Sequence, residues 1–273
     1  MSGDASRHSR PRRPSRLDLG TVATLVAAGL LLVAAWEIEV PVARLRGAPA
    51  QLAGLLRQFL PPDLGYGRQQ VLPALLDSLA IAWVGTLIGA LLSLPLGLLG
   101  ARNLFPRLGF PVKSLLAAIR AFPEILLAIY FVPMVGLGPF AGTLAVGLHS
   151  VGMLGKLTAE IIESADLRPV EAIRAAGGDA TSVLRFGVLP QVFSEVVALW
   201  LFRFEINLRA SAVLGVVGAG GIGGLMFNTL RYRHFAQTGA VVLATVLVVL
   251  AVDSSSGALR QRLTREPLPA SDP

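Results

Sequence analysis

The segment LGVVGAGGIGG, residues 214–224, holds a literal G-x-G-x-x-G at Gly218, Gly220 and Gly223, behind an apolar run. That spacing cradles a dinucleotide when it closes a strand, opens a helix and precedes, by about 20 residues, an acid for the ribose. Here the next acid after Gly223 is Asp253, about 30 positions on and at the far end of another apolar stretch, and the preceding run is far longer than a parallel strand needs. The dinucleotide reading fails. A P-loop fails as well: Gly155-Lys156 is present, but Ser150 stands where the first glycine belongs and Leu157 replaces the Ser/Thr. The chain carries no ATP site of its own.

A second set of chemically capable residues lies inside apolar stretches. Arg203, Glu205, Asn207 and Arg209 share one of them, and Arg120 and Glu124 flank Pro123 in another. An ionisable group in a membrane span costs about 2.5–3.5 kcal/mol on insertion scales, so each must be paired or face water. Spacing of four places Glu205 with Arg209, and Arg203 with Asn207, on common helix faces. Such a face is expected to meet other helices or a cavity, and two readings stand: a cationic lining for an anion, or ion pairs locking helices together. Glu205 is assigned to the lock and Arg209 to the path. Pro123 is expected to kink its span, as a gate would need. His149 lies beside Gly152 and on the face of Lys156, where small residues favour close packing, and is assigned to an interhelical hydrogen bond.

Composition says what must position these groups. Of 273 residues, 53% are hydrophobic and 15% charged, well below the charge of a soluble domain. There is no cysteine, which excludes disulfides and thiolate metal sites, and His8, His149 and His234 are scattered. Six stretches reach the roughly 20 apolar residues that a spanning helix needs: 19–36, 75–99, 113–134, 138–160, 191–216 and 237–257. The net charge of +7 is gathered between these stretches, which excludes a nucleic-acid-binding stripe. Arg7, Arg10, Arg12, Arg13 and Arg16 precede the first span, and no cleavage site follows, so it reads as an uncleaved anchor. With the N-terminus inside, Arg102, Arg107, Lys113, Lys156, Arg168, Arg174, Arg185, Arg260, Arg262 and Arg265 also fall inside, against Arg44, Arg46, Arg57, Arg68, Arg231 and Arg233 outside. Both termini are therefore expected in the cytoplasm. Gly218, Gly220, Gly221 and Gly223 then sit where the fifth span leaves the membrane, either lining a pathway mouth or packing helix ends.

Between the fourth and fifth spans, residues 166–190 read DLRPVEAIRAAGGDATSVLRFGVLP. Asp166 can cap a short helix with Val170 and Ile173 on one side and Glu171 and Arg174 on the other. Gly177-Gly178 ends it, Asp179 can cap a second piece, and Leu189-Pro190 leads into the fifth span. This knob resembles the coupling loop of importer-type ABC transporter permeases, matching at Glu171, Ala172, Gly177, Leu189 and Pro190. Ile173 departs, standing where an alanine is usual, and Gly187 stands where isoleucine is common. The stretches LLDSLAIAWVGTLIGALLSLPLGLLGARN, GLGPFAGTLAVGLHSVGMLGKLTAEIIES and LFRFEINLRASAVLGVVGAGGIG are similar to the phosphonate-importer branch.

The resemblance implies an all-α integral membrane protein of about six transmembrane helices with a cytoplasmic coupling helix, the ABC type-1 permease fold. It divides the chain into an Arg-rich tail (1–17), an anchor helix with external loop (18–71), a permease core (72–260) and a C-terminal tail (261–273). It implies a homodimer in the bacterial inner membrane, two cytoplasmic ATPase subunits that carry the ATP and magnesium, and an external phosphonate-binding protein. Glu171, Ala172, Ile173, Gly177, Leu189 and Pro190 would couple to the ATPase. Arg120, Pro123, Glu124, His149, Arg203, Glu205, Asn207, Arg209 and the four glycines are the candidates for a pathway or gate. Phosphite, another oxyanion, glycine betaine or methionine are the competing cargoes. An intramembrane enzyme is the remote alternative, lacking a His/Asp cluster, a G-x-S-x-G or paired acids.

Overall fold

A computed structural model describes residues 19–37 and 42–264. The tails expected at 1–17 and, past Thr264, at the C-terminus lie outside the described residues. The chain divides into two units, one ending at Leu55 and the other beginning at Leu56. The first holds α1 (Leu19–Glu37), apolar on every side as suits lipid, and most of α2 (Val42–Gln58).

The second unit is a helical bundle. Asp63 caps the turn α3 (Leu64–Tyr66), accepting from the Tyr66 N–H at 2.9 Å, and a π turn carries it into α4 (Leu72–Gly100). There follow α5 (Pro106–Ala121), α6 (Glu124–Val135), α7 (Pro139–Ser164), α8 (Leu167–Ala175) and the turn α9 (Ala180–Ser182). A second π turn, Val183–Val188, leads into α10 (Leu189–Leu214); α11 (Ile222–Arg231) and α12 (Phe235–Thr264) complete the unit. Pro190 has no N–H to continue the ladder, and beside this gap the Gln191 side-chain amide donates to the Gly187 carbonyl at 2.5 Å.

The central contact joins α4 and α7. Gly85, Gly89 and Gly97 recur at multiples of four along α4, and a Cβ at each would strike Val146, Ser150 and Thr158 of α7 respectively. Both residue series rise together, so the two helices run parallel. Arg203 reaches Met153 while Asn207 reaches Ser150, so α10 runs antiparallel to α7. Between parallel α4 and α7, the chain must return across the full thickness through α5 and α6. That pair is therefore counted as one crossing, and among the described residues it makes six candidate spans with the five single helices, α1 included, that are long and apolar enough.

This crossing corrects the expectation of one kinked helix over 113–134. The chain turns by 80° between α5 and α6. Pro123 disfavours helical backbone at Phe122, which is extended at φ −81°, ψ 121°. Arg120 and Glu124 thus belong to different helices and share no face.

Candidate functional site

Five buried polar residues of the bundle form one connected row. Thr86 of α4, His149 and Ser150 of α7, and Arg203 and Asn207 of α10 are all buried. The Asn207 amide donates to Thr86 Oγ1 at 2.8 Å and to Ser150 Oγ at 3.0 Å. Arg203 donates through Nε to Ser150 Oγ at 3.0 Å and through Nη1 to Met153 Sδ at 3.0 Å. Its Nη2 lies 2.6 Å from His149 Nδ1. A guanidinium can only donate, so Nδ1 accepts and the imidazole proton sits on Nε2. That nitrogen is 3.5 Å from Glu124 Oε2, at the start of α6. The row runs from α4 through α10 and α7 to the break in the bent crossing.

Four-residue spacing gave the wrong partners here, and the structure corrects it. Glu205 faces Arg260 of α12 at 3.6 Å rather than Arg209. Arg209 donates from Nη2 to both carboxylate oxygens of Asp253, at 2.7 Å each. Arg203 and Asn207 are linked through Ser150 rather than to each other. Antiparallel packing brings α12 against the faces that local spacing had left to i,i+4 pairing. Asp253 was legible as an acid in an apolar stretch, which is a signal in itself. Arg120 is exposed at the end of α5, while its backbone lies against His149.

The glycines just past the C-terminal end of α10 make a packed turn. Gly218, Gly220 and Gly221 have φ between 80° and 84°, a region closed to most side chains. The turn is stitched to its neighbours: the Gly138 N–H donates to the Gly218 carbonyl at 2.9 Å, and Ser78 Oγ accepts from the Ile222 N–H at 2.8 Å, capping α11. A Cβ on Gly223 would lie on the Ala212 carbonyl. Gly223→Ala is therefore expected to cost about 1–3 kcal/mol by overpacking. Gly257→Ala, whose Cβ meets nothing within 4 Å, is the matched control. Thermal melts in detergent compare the two: Gly223→Ala melts lower and Gly257→Ala does not.

The knob is built as its pattern implied. Asp166 Oδ1 caps α8 through the Arg168 N–H at 2.9 Å, and Asp179 Oδ1 caps α9 through the Ser182 N–H at 2.9 Å. Hydrogen bonds from Arg168 and from Ser182 hold the Asp166 and Asp179 carboxyls below the usual carboxylate range, so both caps stay charged into mild acid. The Gln191 amide pairs with the backbone of Asp166, accepting from its N–H at 3.0 Å and donating to its carbonyl at 3.1 Å. One side chain thereby ties the start of the knob to the root of α10. Val170 is buried with Ile162, Val183, Val188, Val192 and Val196, and Ile173 packs on the same cluster. Glu171, Ala172, Arg174 and Gly177 stay exposed, while Leu189 and Pro190 begin α10. The two departures from the usual pattern meet in space: a Cβ on Gly187 would sit 3.3 Å from Ile173 Cδ1. A larger residue at 173 faces a smaller one at 187, and the packed volume is kept.

Comparison with known proteins agrees with this architecture. The family model described as "binding-protein-dependent transport system inner membrane component" matches residues 93–266. The chain belongs to that family of permeases. The permease is 42% identical over 89% of its length, and 88% of the relative's, to the phosphite transport system permease protein PtxC of Stutzerimonas stutzeri. It is 40% identical over 77% of its length to the phosphate-import permease protein PhnE of Mycolicibacterium smegmatis, and spans 40% of that longer chain. The inward-facing MetNI methionine ABC transporter superposes with a TM-score of 0.64 at 19% identity, covering 71% of the permease and 96% of that chain. This last likeness speaks to the fold alone. The permease is a multi-pass inner-membrane transport subunit, not an enzyme, and its family works with separate ATPase subunits and a binding protein.

Proposed function

We propose that this permease carries a small phosphorus oxyanion into the cell, phosphonate first and phosphite as the competing cargo. The observation that carries this reading is the match to a phosphite permease along 89% of the chain at 42% identity. The resemblance of the core stretches to phosphonate permeases, and the arginines of α10, are consistent with an anion. Two copies would form the path, with both termini in the cytoplasm. Glu171, Ala172, Ile173, Gly177, Leu189 and Pro190 would engage the ATPase, whose ATP and magnesium lie outside this chain. A binding protein outside would deliver the cargo. Methionine and glycine betaine have no comparable support, because the methionine transporter shares the fold at only 19% identity.

The test is uptake by a strain lacking the gene and complemented with the intact permease. Radiolabelled methylphosphonate, phosphite and phosphate are supplied separately, the first two also against unlabelled phosphate at equal concentration. Restored uptake of methylphosphonate supports the first cargo, and restored uptake of phosphite alone shifts it to the second. Uptake inhibited fully by phosphate at equal concentration would make phosphate the cargo. No restored uptake of any of the three overturns the oxyanion reading.

A further inference from the structure

Of the two arginines in α10, one is closed off and one is open. Arg203 is 3% exposed, with its donors taken by His149, Ser150 and Met153. The Arg209 side chain is 50% exposed and that of Asp253 35%. The pair lies deep. Asn207, two residues before Arg209, bonds Ser150, which stands near the middle of α7 (Pro139–Ser164), about 16 Å of helix from its first residue. A half-exposed ion pair at that depth cannot rest against lipid, so this face meets water or a second copy.

The surroundings point to water on a path. Phe202, Arg209 and Val213 of α10, with Val216 just past its end, are exposed. Val213 also lines a cleft of about 190 Å³ with Pro123, Glu124, Ile125 and Ala210, at the break of the bent crossing. Both oxygens of Asp253 approach the same nitrogen of Arg209. Among the described residues Nε and Nη1 have no acceptor; they stand on the two edges of the guanidinium fork that share Nη2, so each edge keeps one free donor. Either edge, once Nη2 is released, matches two oxygens of a tetrahedral oxyanion.

We propose that Arg209 is the cation that holds the oxyanion during passage, and that Asp253 is its resident counter-ion, exchanged for the cargo. This rests on the oxyanion reading of the function. With the path empty, the pair is neutral and stable at mid-depth. When cargo arrives, one of its oxygens takes a free donor and a second then replaces the carboxylate at Nη2, completing an edge. The displaced Asp253 stays beside the cargo as a like charge, which keeps the bound state weak enough for release.

The test uses cells expressing the permease with its ATPase and binding protein, and reads both uptake and recovery of the assembled complex. Arg209→Ala is expected to lower uptake about tenfold or more, the worth of a charge-assisted contact, with the complex recovered. Asp253→Asn should assemble but lower the maximal rate of uptake, since the cation remains while the like charge that weakens the bound state is gone. The charge swap R209D with D253R should assemble but stay as defective as Arg209→Ala, because the cation has moved to α12. Uptake restored by the swap overturns the proposal, for then only neutrality matters. Loss of assembly in both Arg209→Ala and the swap also overturns it, making the pair structural. Where the wild type takes up no phosphorus oxyanion, the function reading has failed, and this inference falls with it.

Discussion

Glu171→Lys is expected to reduce uptake by at least about tenfold, as reversal of a charge at a docked surface does, while the permease stays in the membrane at its normal level. The reason lies in how the knob divides its residues. Val170 and Ile173 carry the packing, buried in or against the apolar cluster beneath α8. Glu171 points the other way and is exposed beside Ala172 and Arg174. Among the described residues no bond to Glu171 is recorded, so a change there leaves the fold within about 0.5 kcal/mol. The two Asp caps and the Gln191 clamp keep the knob rigid whatever charge stands at 171. On the proposed reading that rigidity lets ATPase movement reach α10 without being absorbed by the loop. Co-purification of the ATPase, permease level in membranes and uptake are measured together. A variant that binds the ATPase and transports normally would sink the coupling role. Val170→Asp separates the two kinds of damage, since it buries a charge and should lower the permease level itself.

How much of this was legible beforehand follows from which interactions are local. The spans were legible because length and apolarity are properties of a single helix. The two sides of α8 were legible because Val170 and Ile173 lie three apart, and one helix turn decides that they share a face. The break at Pro123 was legible in place but not in size: proline explains why Phe122 is extended, while an 80° turn depends on how α5 and α6 pack on α7. The charge partners were illegible. Spacing of four offered Arg209 to Glu205, yet the partners are Asp253 and Arg260, 44 and 55 residues along the chain. Thr86 and Ser150 carry no signal in the sequence, since a hydroxyl in a span ordinarily bonds its own helix. Their role appears only when the glycine stripe of α4 lets α7 approach and α10 lays Asn207 between them. The Ile173 and Gly187 departures were visible singly, and only their contact shows that one compensates the other.

Arg203→Ala is expected to prevent recovery of a folded permease, because it removes one partner from a buried charged network, a change that costs about 3–5 kcal/mol. The guanidinium bonds three residues of α7 while α10 crosses it, and it offsets the charge of Glu124 through His149. Without it, the Ser150 hydroxyl and the His149 Nδ1 acceptor lose a buried partner, and the Glu124 carboxylate loses its balancing cation. The row ends at the start of α6, so the loss should be felt first where the bent crossing meets the bundle. Size-exclusion profiles of detergent-extracted protein read the result directly. Arg203→Lys keeps the charge but cannot reach Ser150, Met153 and His149 at once, and should give a reduced yet symmetrical peak. If Arg203→Ala runs as a normal peak and fails only in uptake, Arg203 belongs to the path, and the division between a closed arginine and an open one is wrong. If it neither assembles nor survives extraction while Arg209→Ala does both, the two arginines of α10 have separate tasks. One holds the helices together, and the other is left free for the anion.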